Sequence, residues 1–160
     1  ERSRGLGDVY KRQIVPSSGM IILTDIGDAR TIHPMEKETV GNRFAYMALG
    51  LTYGKKGFPV TGPLYKSMQI EGNKIAVSFD EVGKGLTTYR QPLTGFEIAG
   101  EDRVFHPANA HLGKDAQTVV VSSPEVPHPV AVRYAFKDYV KGCLYNMFGL
   151  PVSSFRTDDW

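Results

Sequence analysis

The chain has 160 residues, 41% hydrophobic and 11% aromatic, with 19 Lys and Arg against 17 Asp and Glu. That length holds one ordinary core or two small ones, and the scattered basic residues argue against a nucleic-acid footprint. One cysteine, Cys143, excludes an internal disulfide and any multi-cysteine metal site, and no apolar run approaches the roughly 20 residues of a membrane helix.

In chain order, residues 1–13 show no apolar central region of a signal peptide. Asp8-Val9-Tyr10-Lys11-Arg12-Gln13 resembles a translated transposon end of the kind used in sequencing libraries. The expectation is a non-native scar or a disordered basic tail, so the fold is read from Ile14 onward. Met20–Thr24 is a short continuous apolar run, as in a strand buried on both faces. Asp25 to Asp28 make an acidic turn, and His33 follows just beyond the carboxyl end of that expected strand. Open α/β sheets tend to hold reacting groups there. Pro34 suits the first turn of a helix. Val40, Phe44, Met47 and Leu51 then repeat at spacings of four, three and four, which predicts an amphipathic helix from about Met35 to Tyr53. Glu36 and Glu38 complement the positive end of its dipole, and Gly54 stops it.

Residues 57–63, Gly-Phe-Pro-Val-Thr-Gly-Pro, read as a linker. Beyond them the period changes from helical to alternating. Met68 and Ile70, a Gly72-Asn73 turn, and Ile75, Val77 and Phe79 predict a hairpin. Gly95–Ala99, Ala108–Leu112, Thr118–Ser122 and Val130–Phe136 are further strand candidates, and together they suggest an antiparallel β-sandwich. Gly142 to Trp160 reads as irregular extended chain.

Asp25-Ile26-Gly27-Asp28, Ile32-His33-Pro34, Lys37 and Val40-Gly41-Asn42-Arg43 resemble the last conserved block of the sialate O-acetylesterases, in the SGNH hydrolase superfamily. The resemblance continues through Tyr53-Gly54, Gly62-Pro63, Val121-Ser122-Ser123, Val132-Arg133-Tyr134-Ala135 and Gly149-Leu150-Pro151 to Phe155-Arg156-Thr157-Asp158-Asp159-Trp160. It implies an α/β followed by all-β arrangement. Residues 14–56 would be the last β-loop-α unit of an α/β/α hydrolase domain, 57–63 a linker, and 64–160 an antiparallel β-domain.

The implied activity is removal of acetyl groups from the hydroxyls of sialic acids or related sugars, in a periplasmic, secreted or lysosomal setting. No cofactor is implied. His33 would be the base for a serine in a Gly-Asp-Ser-type turn upstream of this chain, where the oxyanion-hole donors would also lie. The positive end of the following helix opposes imidazolium. The superfamily pattern Asp-x-x-His is not met, since Arg30 stands three residues before His33. Asp28 is the candidate carboxylate to orient the ring, with a backbone carbonyl as the alternative. Two other readings stay open: an acetyl-xylan-type esterase on the same scaffold, and a non-catalytic carbohydrate-binding β-module.

Other residues have plainer expected roles. His106, His111 and His128 lack ligand-like spacing and read as surface or turn residues, so no metal site is expected. Arg133 is expected to pair with Asp158 or Asp159, with a sugar carboxylate as the alternative partner. Tyr89, Phe96 and Trp160 read as core or interface rather than as sugar platforms. Ser122-Ser123 and Ser153-Ser154 lie in no nucleophile elbow, and nothing near Cys143 would activate its thiol.

Overall fold

A computed structural model describes residue 16 and residues 18–160; the segment read as a scar lies outside the described residues. Helix α1 spans Lys37–Met47 and continues as a π-helical turn over Ala48–Thr52. The strands that follow are β1 (Leu64–Glu71), β2 (Lys74–Asp80), β3 (Leu86–Thr87), β4 (Phe96–Ala99), β5 (Phe105–Pro107), β6 (Asn109–Leu112), β7 (Thr118–Ser122), β8 (Ala131–Tyr134), β9 (Tyr145–Asn146) and β10 (Phe155–Arg156). None of the described helices is long and apolar enough to cross a membrane.

Alternating sequence becomes two four-stranded antiparallel sheets. The first runs β1-β2-β7-β6 and the second β10-β8-β4-β5, while β3 and β9 form a short separate ribbon. The hairpin register follows from Gly72, whose φ of +63° admits the tight turn that pairs Glu71 with Lys74 and Met68 with Val77. Ile75, Val77, Phe79, Val119 and Val121 from the first sheet meet Phe96, Ile98, Val132, Tyr134 and Phe155 from the second in one core. Period-two alternation puts every second residue of β2 and β7 inside, as the burial patterns show.

Four expectations need correction. Met20–Thr24 forms no strand. A strand needs a ladder partner, and among the described residues the backbone of this run serves other donors instead. The Ile22 carbonyl accepts from the Arg43 guanidinium at 2.7 Å and the Thr24 carbonyl from Gly142 N at 2.9 Å. Among the described residues the α/β part of the expected architecture is therefore represented by one helix and an irregular segment. Secondly, the helix starts at Lys37 rather than Met35, so Pro34 lies outside its first turn.

Thirdly, its apolar stripe is only half covered. Met47 is buried and Val40 partly so, whereas Phe44 is 54% and Leu51 60% exposed. The π-helical turn inserts a residue into the 3.6 period and rotates Leu51 off the stripe. Gly54 stops the helix as expected, with φ +63° and Lys55 N donating to the Leu49 carbonyl at 2.9 Å. Fourthly, the stretch read as irregular from Gly142 carries β9 and β10, each two residues long. Strands so short contain no repeat of the two-residue alternation.

Residues 62–63 are buried against the far end of the chain. Gly62 lies so close to the Pro151 carbonyl that a side chain there would overlap it, and the Pro63 carbonyl accepts from Ser153 N at 3.2 Å.

Candidate functional site

The segment from Leu23 to Pro34 is held by charge rather than by a sheet. Arg43 projects from α1 and grips Asp25 in a bidentate pair, Nη1–Oδ1 2.8 Å and Nη2–Oδ2 2.6 Å. The two side chains are only 7% and 9% exposed. A planar fork matches a carboxylate in this geometry, and burial strengthens each bond. This pair was missed in the sequence because 18 residues separate its partners, although both belong to the block that carries the family resemblance.

Downstream of that anchor the chain turns at Asp28, which bridges to Thr31. The Asp28 carboxylate accepts from Arg30 N at 2.8 Å and from the Arg30 guanidinium at 3.4 and 3.5 Å. The backbone bond, and then the guanidinium bonds, hold its carboxyl below the usual carboxylate range. His33 comes next, exposed, with its backbone N–H on Thr31 Oγ1 at 3.1 Å. Its ring has no hydrogen-bond partner among the described residues. Asp28 and His33 therefore share one turn, but the carboxylate serves Arg30 and not the imidazole.

Beside this turn lies an open cleft of about 680 Å³. One wall is Leu23, Thr24, Asp28, Thr31 and Pro34, and the other comes from residues 135–140 beyond β8. His33 is not itself in the wall, but Ile32 and Pro34 on either side of it are. Gly142 clamps the walls together. Its N–H donates to the Thr24 carbonyl, and a Cβ on it would come within 2.6 Å of Thr24 Oγ1. Ser154 reaches the cleft as well, yet no histidine hydrogen-bonds to it among the described residues.

The remaining candidates fall elsewhere. Arg133 takes Asp158, not Asp159, with Nε–Oδ1 2.9 Å and Nη2–Oδ2 2.6 Å, and Arg156 contacts the same fully buried carboxylate. Burial pushes that carboxyl up, but the hydrogen bonds and charge of Arg133, helped by Arg156, outweigh it and hold it low. The Arg133 guanidinium lies 3.8 Å from the Phe105 ring centre, and Arg103 lies 5.1 Å from that of Trp160. Phe96 is core, and Tyr89 is half exposed with its ring 5.4 Å from Tyr145.

His106 meets Glu125 at 3.1 Å, while His111 and His128 are exposed. Ser123 and Ser153 are buried. Cys143 Sγ accepts from Thr94 N at 3.2 Å. Among the described residues, no group of three or more His, Cys, Asp or Glu is placed to hold a metal ion.

Comparison with solved structures finds a carbohydrate acetylesterase from Xanthomonas citri, 36% identical, with a TM-score of 0.87. The match covers 96% of this chain and 35% of that protein, so the chain spans about a third of its length. No protein-family model matches the chain, and no curated protein matches it.

Proposed function

We propose that this chain is the C-terminal part of a carbohydrate O-acetylesterase of the sialate O-acetylesterase type. Residues 14–56 would close the SGNH hydrolase domain, 57–63 link, and 64–160 form the β-domain. The observation that carries the reading is the likeness to the Xanthomonas citri enzyme along nearly the whole chain. The cleft beside the Asp28–Pro34 turn gives an ester room to approach His33.

His33 is the general base. An upstream serine Oγ attacks the acetyl carbonyl carbon while the imidazole takes its proton. The tetrahedral adduct then collapses, the bond to the sugar oxygen breaks, and imidazolium protonates that oxygen. Water, deprotonated by the same ring, releases acetate and regenerates the serine. Exposure leaves the ring free to reach such a partner. Asp28 is the orienting carboxylate. Its guanidinium contacts to Arg30 are long and solvent-facing, and pairs of that kind contribute little, so exchanging them for the ring costs little. An O-acetylated sialic acid or glycan is the substrate, in a periplasmic or secreted setting.

The test is to sequence the gene upstream of Met20, express the longer reading frame, and measure acetate release from acetylated sugars. His33→Ala should lower turnover at least about 10²-fold, and the 160-residue chain alone should be inactive. Hydrolysis by the short chain would refute the assignment of the nucleophile. Preference for acetylated xylan over acetylated sialic acid would move the enzyme to the acetyl-xylan type. Sugar binding with no esterase from any reading frame would favour a carbohydrate-binding module.

A further inference from the structure

The geometry points to Tyr139 as the platform on which the sugar ring stacks, making the loop beyond β8 a substrate-binding wall. For its ligand class this inference rests on the esterase reading above. Apart from Ser154, the cleft is lined from two stretches distant in sequence, and only one of them carries the residues proposed for the chemistry. The other contributes Phe136, Lys137, Asp138 and Tyr139.

This second wall is braced at both ends. Ala135, at φ +50°, turns the chain out of β8, and its N–H donates to the Gly95 carbonyl at 2.9 Å. Lys137 pairs with Glu97 of β4 at 2.8 Å, and Gly142 is tied to Thr24 at the far end. Between these anchors Tyr139 is 46% exposed. Its ring lies near the Asp25–Asp28 turn at Gly27, where a Cβ would meet Tyr139 Cε2 at an ordinary 3.8 Å. An aromatic residue half open to solvent and lining a cleft suits the apolar C–H face of a pyranose. Thr31 and Ser154 stand in the same cleft to take hydroxyl groups. This role was not legible in the sequence, because Tyr139 meets the Asp25–Asp28 turn only in the folded chain.

The experiment is ligand-observed saturation-transfer NMR on this chain, with an O-acetylated methyl pyranoside as the probe. Transfer to the ring C–H protons is expected with the parent and with Tyr139→Phe. It should fall at least tenfold with Tyr139→Ala. As a measurement independent of that variant's folding, the Tyr139 ring resonances of the parent, identified by comparison with Tyr139→Phe, should shift during the titration. No transfer to the parent, equal transfer to Tyr139→Ala, or unmoved ring resonances would each overturn the inference. The esterase reading fails separately. If binding depends on Tyr139 but no longer reading frame shows His33-dependent hydrolysis, the wall stands and the esterase does not. Hydrolysis indifferent to Tyr139→Ala leaves the esterase and removes the wall.

Discussion

Replacing Arg43 by alanine tests whether charge, rather than sheet pairing, holds the His33 turn. The guanidinium makes three hydrogen bonds, two to Asp25 and one to the Ile22 carbonyl. Bonds to charged groups contribute about 1.5–3 kcal/mol each, but burying the pair has already cost much of that sum. The net penalty for stranding the buried Asp25 carboxylate is about 3–5 kcal/mol. The penalty should appear locally, as opening of the segment that the pair pins, because the β-sheet core lies elsewhere.

Two amides report on that opening: Ile26 N, bonded to the Leu23 carbonyl, and Gly142 N, bonded to the Thr24 carbonyl. At about 1.4 kcal/mol per decade, their exchange protection should drop roughly 10²- to 10⁴-fold, while core amides of β2 and β7 barely change. Arg43→Lys, which keeps the charge but loses the fork, should fall between the two. Pairing Arg43→Met with Asp25→Asn should recover part of the loss, since it strands no charge. Protection changed by less than tenfold at both amides in Arg43→Ala would refute the reasoning.

Asp158→Asn should destabilise the protein by about 3 kcal/mol near neutral pH, by uncoupling a buried carboxylate from Arg133 and Arg156. The folded carboxyl titrates below its unfolded value. Its contribution is therefore complete above about pH 4 and fades as pH falls through the folded value; denaturant melts at stepped pH should show the two proteins converging in acid. A gap that persists undiminished at about pH 2 would contradict this. Gly62→Ala should clash with the Pro151 carbonyl, an overpacking cost of about 1–3 kcal/mol, lowering Tm by roughly 2–12 °C. Calorimetry showing an unchanged Tm would mean that the approach of these two segments is looser than described.

What the sequence made legible was whatever repeats locally. β1 and β2 announce themselves by alternation, β4, β6, β7 and β8 by regular spacing with turn residues between, and the hairpin register by Gly72-Asn73. The helix was readable from its four-three-four spacing, though not the π-helical turn, which depends on how the last turn meets its surroundings. Met20–Thr24 misled because apolar content alone does not make a strand; hydrogen-bond partners do, and here Arg43 and Gly142 took the carbonyls. Away from the cleft, a pairing of Arg133 with Asp158 or Asp159 was anticipated from charge complementarity, and Asp158 is the partner. Asp25 with Arg43, and the approach of Tyr139 to the Asp25–Asp28 turn, were not anticipated, because each joins elements whose proximity exists only in three dimensions.

Phe155 also sets an order of events for the nascent chain. Its ring stacks on Tyr65 at 4.9 Å, contacts Phe79, Phe96 and Tyr134, and carries the edge strand β10 onto β8. All of those partners are synthesised earlier. The β1–β2 hairpin can form while translation continues, yet the aromatic centre stays open until Phe155 leaves the ribosome. The apolar inner faces of two sheets thus wait, unsealed, for this residue. Until it emerges the chain holds a half-built sandwich, and chaperone occupancy in the cell should be greatest in that interval.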